Sequence, residues 1–211
     1  MVKITGLKAG KKRNKQVNVY LDGKYAFSLL AEVVAAEALR VGQELTDNQI
    51  MLLSGADRYQ RCMDAALRFI GYRPRSESEV RQRLFRHGFD AACIEKALER
   101  LKETGLVDDA TFARFWKENR ETFSPRSRWL TERELRQKGL PDDIIKQAVG
   151  DVDDGESAYR AAVTRAGRIH ATDYRDFRRR LGDYLGRRGF GYEVINETVE
   201  RVWREHEGVP G

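Results

Sequence analysis

The stretch Pro74–Leu98, PRSESEVRQRLFRHGFDAACIEKAL, decides how the rest of the chain is read, because it returns 51 positions later as Pro125–Val149, PRSRWLTERELRQKGLPDDIIKQAV. Leu84 matches Leu135, Gly88 matches Gly139, Phe89 matches Leu140, Ile94 matches Ile145, and Ala97-Leu98 matches Ala148-Val149. A third copy stands 50 positions further on, with Leu185, Gly189, Phe190, Ile195, Thr198 and Val199 in the same places. Self-similarity at a fixed period marks a repeat architecture.

Each copy reads as helix, glycine, helix. In the first, Val80 and Leu84 lie one turn apart on one face, and Ser76 precedes Glu79 with the spacing of a capping box. Gly88 can take the left-handed conformation that ends a helix. Asp90 can cap the next helix, whose apolar positions Ile94, Ala97, Leu98 and Leu101 form an amphipathic stripe. In the second copy Pro141 suits a helix start, with Asp142 and Asp143 in the first turn. A further helix precedes each pair, carried by Cys62, Ala65, Ala66, Phe69 and Ile70, then by Phe112, Phe115, Trp116 and Phe123, then by Tyr159, Ala162, Val163 and Ala166. The unit is therefore three helices, too small to bury its faces well alone and helped by stacking on its neighbours.

The expected fold is mainly α: three tandem three-helix repeats at 57–106, 107–152 and 153–207, behind an N-terminal β-hairpin and helix extension at 1–56. The joints Gly105–Asp109 and Gly150–Gly155 are short, which favours a continuous, elongated and curved body of roughly 50–60 Å if the units stack along their short axes. In the extension, Val2–Thr5 is a short candidate strand and the basic run Lys8, Lys11, Lys12, Arg13, Lys15 a loop. Val17, Val19 and Leu21, then Tyr25 and Phe27, alternate about Asp22-Gly23, a strong hairpin signal. Leu29–Leu39 reads as a covering helix. Thr46 and Gln49 form another capping-box pair, opening a helix that leads into the first repeat near Asp57.

Hydrophobic residues make up 41% of the 211-residue chain and charged residues 34%, the composition of a folded, charge-rich protein. The net charge of +6 permits contact with nucleic acid without demanding it. No apolar run is long enough to span a bilayer, and MVKITGLKAGKKRNK lacks an apolar signal core, so a cytoplasmic protein is expected. Cys62 and Cys93 are too few for a disulfide framework and read as buried free thiols.

No nucleophile or acid–base set can be assembled. His87, His170 and His206 lack metal-ligand spacing, so neither metal nor cofactor is expected. Asp108-Asp109 and Asp153-Asp154 are better explained as helix caps at two equivalent joints. Weighed as base-stacking platforms, Trp116 and Trp203 lie on apolar stripes and read as core, while Trp129 stays open between the two roles. The main signal is cationic. Arg81, Arg83 and Arg86, then Arg126, Arg128, Arg133, Arg136 and Lys138, then Arg178, Arg179, Arg180, Arg187 and Arg188 crowd the middle helix of successive units and are expected to form a recurring binding stripe. The competing reading is a solvated face whose cations complement helix dipoles. The last helix of each unit exposes Glu95, Lys96, Glu99 and Arg100, then Asp142, Asp143 and Lys146, then Glu193, Asn196, Glu197 and Glu200. Acids there would repel phosphates, which disfavours operator reading by a tandem helix-turn-helix protein, the alternative function.

Three tandem units, with RSESEVRQRLFRHGF, GLVDDATFARFWKENR and ERELRQKGLPDDIIKQAV, resemble the RecX family of bacterial RecA regulators over about Asp57–Glu205. YLDGKYAFSL and Gly42–Leu45 are similar to the extension many members carry. The third repeat departs most, with Gly182, Gly186 and Gly191 interrupting its helices. The resemblance implies a non-enzymatic modulator, usually negative, lying in the groove of the RecA–single-stranded DNA filament. There it would limit filament growth, ATP hydrolysis, strand exchange and coprotease activity, in DNA repair and the SOS response. A monomer is expected, with direct contact to single- or double-stranded DNA left open.

Overall fold

A computed structural model describes residues 1–10 and 16–207, without the side chains of 206 and 207. Among these residues the chain forms four strands and ten helices. By compactness it divides into two units, one of Met1–Arg73 with Val80–Val107, the other of Pro74–Glu79 with Asp108–Gly211.

The first unit begins with the expected hairpin. Asp22 (φ 47°) and Gly23 (φ 82°) supply the two left-handed positions of a type I′ turn between β2 (Gln16–Leu21) and β3 (Lys24–Leu30). β1 (Val2–Ala9) runs longer than Val2–Thr5 and pairs antiparallel with β2. A fourth strand, β4 (Glu44–Leu45), pairs with the free edge of β1, giving the order β3-β2-β1-β4. Lys8 therefore belongs to a strand, its Nζ 4.9 Å from the centre of the Tyr20 ring. Lys11, Lys12, Arg13 and Lys15 lie outside the described residues.

The helix read over Leu29–Leu39 forms only as α1 (Ala31–Ala36). Leu29 and Leu30 complete β3, the Leu30 N–H donates to Asp57 Oδ1 at 2.6 Å, and Ala38 at φ 47° lies past the helix end. At α2 (Asp47–Ile70) the Thr46 side chain accepts the Gln49 N–H while the Gln49 side chain accepts the Thr46 N–H, the reciprocal cap expected from their spacing. α2 runs unbroken through 56 and 57, so extension and first repeat share a helix. One face of it covers the sheet through Leu53, beside Ile4, Val19, Leu29, Leu39 and Leu45. Further along, Cys62 and Ala66 pack with Val80 and Leu84 of α3 (Glu77–Arg86) and with Ile94, Ala97, Leu98 and Leu101 of α4 (Ala91–Glu103).

The second unit holds α5 (Asp109–Phe123), α6 (Arg128–Gln137) and α7 (Asp142–Val149), then α8 (Asp154–Ala166), α9 (Tyr174–Gly186) and α10 (Tyr192–Glu207). Phe112, Leu135, Ile145 and Val149 form the first of its cores, and Ala162, Phe177, Leu181, Leu185 and Val199 lie in the second. Trp116 packs on the one and Trp203 on the other, as their stripes imply. Two stripe positions are corrected. Phe123 is 79% exposed because α5 ends on it, and Val163 is 48% exposed because the buried face of α8 is narrow, centred on alanines 158, 161, 162 and 166.

Leu84, Leu135 and Leu185 are fully buried, and the glycines four residues on, Gly88, Gly139 and Gly189, have φ of +82°, +80° and +85°. The Pro-Arg-Ser segments explain why the serines are buried too. Ser76 Oγ accepts the Glu79 N–H at 3.1 Å and donates to the Lys138 carbonyl at 2.7 Å. Ser127 Oγ accepts the Leu130 N–H at 3.1 Å, and its own N–H donates to the Arg188 carbonyl at 3.0 Å. Each serine thus caps its own helix and satisfies a carbonyl at the end of the next middle helix, which would otherwise lack a partner.

Candidate interaction surface

The structure sorts the predicted cations by what they touch. Some are neutralised on the surface. Arg81 is paired with Glu95, its Nη2 3.0 Å from Oε2. Arg136 Nε lies 2.8 Å from Asp142 Oδ1, with Glu132 at 3.4 Å from Nη2; the Asp142 hydrogen bond raises the Arg136 pKa above its ordinary value. Arg179 and Arg180 share Asp176 at 2.7 and 2.8 Å, and their hydrogen bonds, Arg180's foremost, hold that carboxyl below the usual carboxylate range. Such exposed pairs contribute little to stability.

Others hold the second unit together. Glu134, 11% exposed, accepts from Arg120 Nε and Trp116 Nε1, each at 2.8 Å, and forms an ion pair with Arg126. Burial lowers the Arg126 pKa, and the guanidiniums of Arg120 and Arg188 push it the same way. Lys138 Nζ lies 2.8 Å from Glu79 Oε1 and 5.0 Å from the centre of the Trp116 ring. Arg188 Nη1 donates to Ser124 Oγ at 2.9 Å and to the Pro125 carbonyl at 3.0 Å. Arg128 donates through Nη2 to the Val152 carbonyl at 2.6 Å.

The remainder keep an uncompensated charge at the surface. Arg83 sits over the Phe69 ring at 5.5 Å, and Arg86 donates to the Gln82 carbonyl of its own helix at 3.2 Å. Arg133 stacks over Trp129 at 5.6 Å, and Trp129 is 56% exposed, which settles its reading as a surface ring. Among the described residues Arg178 hydrogen-bonds only the neutral Asn196 and Tyr192, and Arg187 is exposed without a side-chain partner. The third-helix residues expected at the surface are exposed, apart from half-buried Asn196. Glu95 and Asp142 spend their charge on Arg81 and Arg136.

Sequence reasoning missed Glu134 as the hub of a buried polar network. Its signal was an acid beside the core residue Leu135 on a basic helix that carries one other acid, Glu132. Cys62 is buried and burial pushes its thiol up to about 12, whereas Cys93 is only half-buried. Among the described residues, no cluster of three His, Cys, Asp or Glu is placed to hold a metal ion, and no helix is long and apolar enough to cross a membrane.

Fold and surface together define a scaffold of repeated three-helix modules with cationic middle helices. The chain belongs to the RecX family of regulatory proteins. The model of the regulatory protein RecX N-terminal domain matches residues 2–46, and those of the first, second and third RecX three-helix domains match 62–101, 108–149 and 152–199. The regulatory protein RecX of Clostridium botulinum (strain Eklund 17B / Type B) is 30% identical over 209 residues, 96% of this chain and 97% of its own. That of Bacillus subtilis (strain 168) is 29% identical over 208 residues, covering 97% of this chain and 78% of its own. A crystal structure of regulatory protein RecX superposes with a TM-score of 0.69 at 25% identity, over 95% of this chain and all of that one.

Proposed function

We propose that this protein is a non-enzymatic, cytoplasmic regulator of the RecA recombinase that binds the groove of the RecA–single-stranded DNA filament. By occupying that groove it limits filament growth, and with it ATP hydrolysis, strand exchange and coprotease activity. The supporting observation is the match of all four RecX family segments, in order, along one chain. The cations free of acidic partners among the described residues, Arg83, Arg86, Arg133, Arg178 and Arg187, carry the contact in this reading. Arg81, Arg136, Arg179 and Arg180 adjoin them with their charge already met, while Arg126, Arg128, Lys138 and Arg188 act by holding the second unit in shape. Several weak contacts on one polymer reinforce each other through effective concentration.

The test is RecA ATPase on single-stranded DNA. The wild-type chain is expected to suppress it at micromolar or lower concentration. The triple variant Arg83→Glu/Arg86→Glu/Arg133→Glu is expected to require about tenfold more protein or above, because like charges now face the partner. No suppression by the wild type, or equal suppression by the triple variant, would count against the reading or against these residues respectively.

A further inference from the structure

A cleft of about 380 Å³ opens on the third repeat, lined by Arg175, Arg178, Gly182, Asp183, Tyr192 and Asn196 among others. The repeats show why it exists. Gly182 stands seven residues before the turn glycine Gly189, the place that Arg81 holds before Gly88. Asn196 follows Ile195 as Glu95 follows Ile94. In the first repeat an arginine and a glutamate fill this place with an ion pair. In the third, position 182 has no side chain and position 196 has no charge.

The backbone does not require glycine there. A Cβ built on Gly182 would meet Ile195 Cγ2 at 3.6 Å, an ordinary contact. What the glycine leaves is room in front of Arg178, one helical turn earlier. Arg178 Nη2 donates to Asn196 Oδ1 at 3.1 Å and to the Tyr192 hydroxyl at 3.4 Å, both neutral, so its charge stays available. Arg175 is exposed and has no acidic partner among the described residues. Arg179 also lines the cleft, its charge met by Asp176. Asp183 is the single carboxylate on the lining. Tyr192, at the start of α10, is 75% exposed.

Guanidiniums hold phosphate oxygens through paired N–H donors, and an exposed aromatic ring beside them offers a face to any base. We propose that this cleft binds one nucleotide unit of single-stranded nucleic acid, with the phosphate between Arg175 and Arg178 and the base stacked on Tyr192. The site acts without the recombinase, so it is measured without it and stands or falls separately from the regulatory reading.

The experiment is fluorescence anisotropy of a labelled oligo-dT with the full chain at low salt. Tyr192→Ala is expected to weaken binding by about 5- to 150-fold, the worth of one stacked base, and Tyr192→Phe, which keeps the ring, by less than about twofold. Gly182→Arg is the sharper variant. It restores the arginine of the first repeat and adds a positive charge, yet it fills the cleft, so binding is expected to weaken. Tighter or unchanged binding by Gly182→Arg together with unchanged binding by Tyr192→Ala would reduce the interaction to net charge and overturn the proposal. Displacement of the oligonucleotide by AMP at matching concentration would overturn it in favour of a free-nucleotide site.

Discussion

Replacing Glu134 with alanine is expected to destabilise the second unit by about 3–5 kcal/mol, the usual cost of removing one partner from a buried ion pair. Glu134 is 11% exposed, Arg120 21% and Arg126 29%, so solvent screens the group weakly. Its carboxylate is the only acid bonded to these two guanidiniums among the described residues, and it also accepts the Trp116 indole N–H. Without it, two like charges and an indole donor face each other in a partly buried space, with Arg188 near enough to add repulsion. Urea unfolding of the full chain, followed by tryptophan fluorescence, gives the difference directly. Glu132→Ala, on the same helix, removes an acid 3.4 Å from the 46%-exposed Arg136 and is expected to change stability by about 0.5 kcal/mol or less. A loss below about 1 kcal/mol for Glu134→Ala would mean that the network is ornamental.

Gly139→Ala is expected to cost about 2–5 kcal/mol, and Gly88→Ala only about 1–2, although their φ angles are +80° and +82°. The backbone strain is common to both. The difference is what a methyl group would meet. At Gly88 nothing lies within 4 Å, whereas at Gly139 the new Cβ would stand 2.4 Å from Ser78 Cβ. Ser78 is held in the first turn of α3, next to the bonds from Ser76 to Lys138 and from Glu79 to Lys138, so it cannot swing aside. Gly189 repeats the situation against Ser127 Oγ at 2.6 Å and Leu130 Cβ at 2.8 Å. Equal losses for Gly88→Ala and Gly139→Ala in chemical unfolding would show that close approach plays no part.

These two cases mark where sequence reading works and where it stops. The turn glycines, the buried leucines before them and the Thr46–Gln49 cap follow from local rules, since each depends on residues within one or two turns. Repetition supports the glycines and leucines, each of which has its copies. That Gly139 is also a packing position was not readable, because Ser78 lies 61 positions away (139 − 78 = 61). The same limit applies to the cations. Arg126 and Arg133 look alike in the sequence, yet one is half-buried against Glu134 and the other stacks on an exposed tryptophan. β4 leaves no mark in the sequence because two residues carry no periodicity, and α1 is shorter than the Leu29–Leu39 stretch because Leu29 and Leu30 suit a strand and a helix equally.

Photo-cross-linking to RecA filaments on single-stranded DNA, mapped by residue, addresses the proposed role at its root. A photoreactive group at Gln82 or Gln137, on the cationic middle helices, is expected to trap RecA in high yield. The same group at Glu99 or Gln147, on the third helices, is expected to trap little. Cross-links concentrated at Glu99 and Gln147, or none at any of the four positions, would contradict a regulator that grips the filament through its middle-helix arginines.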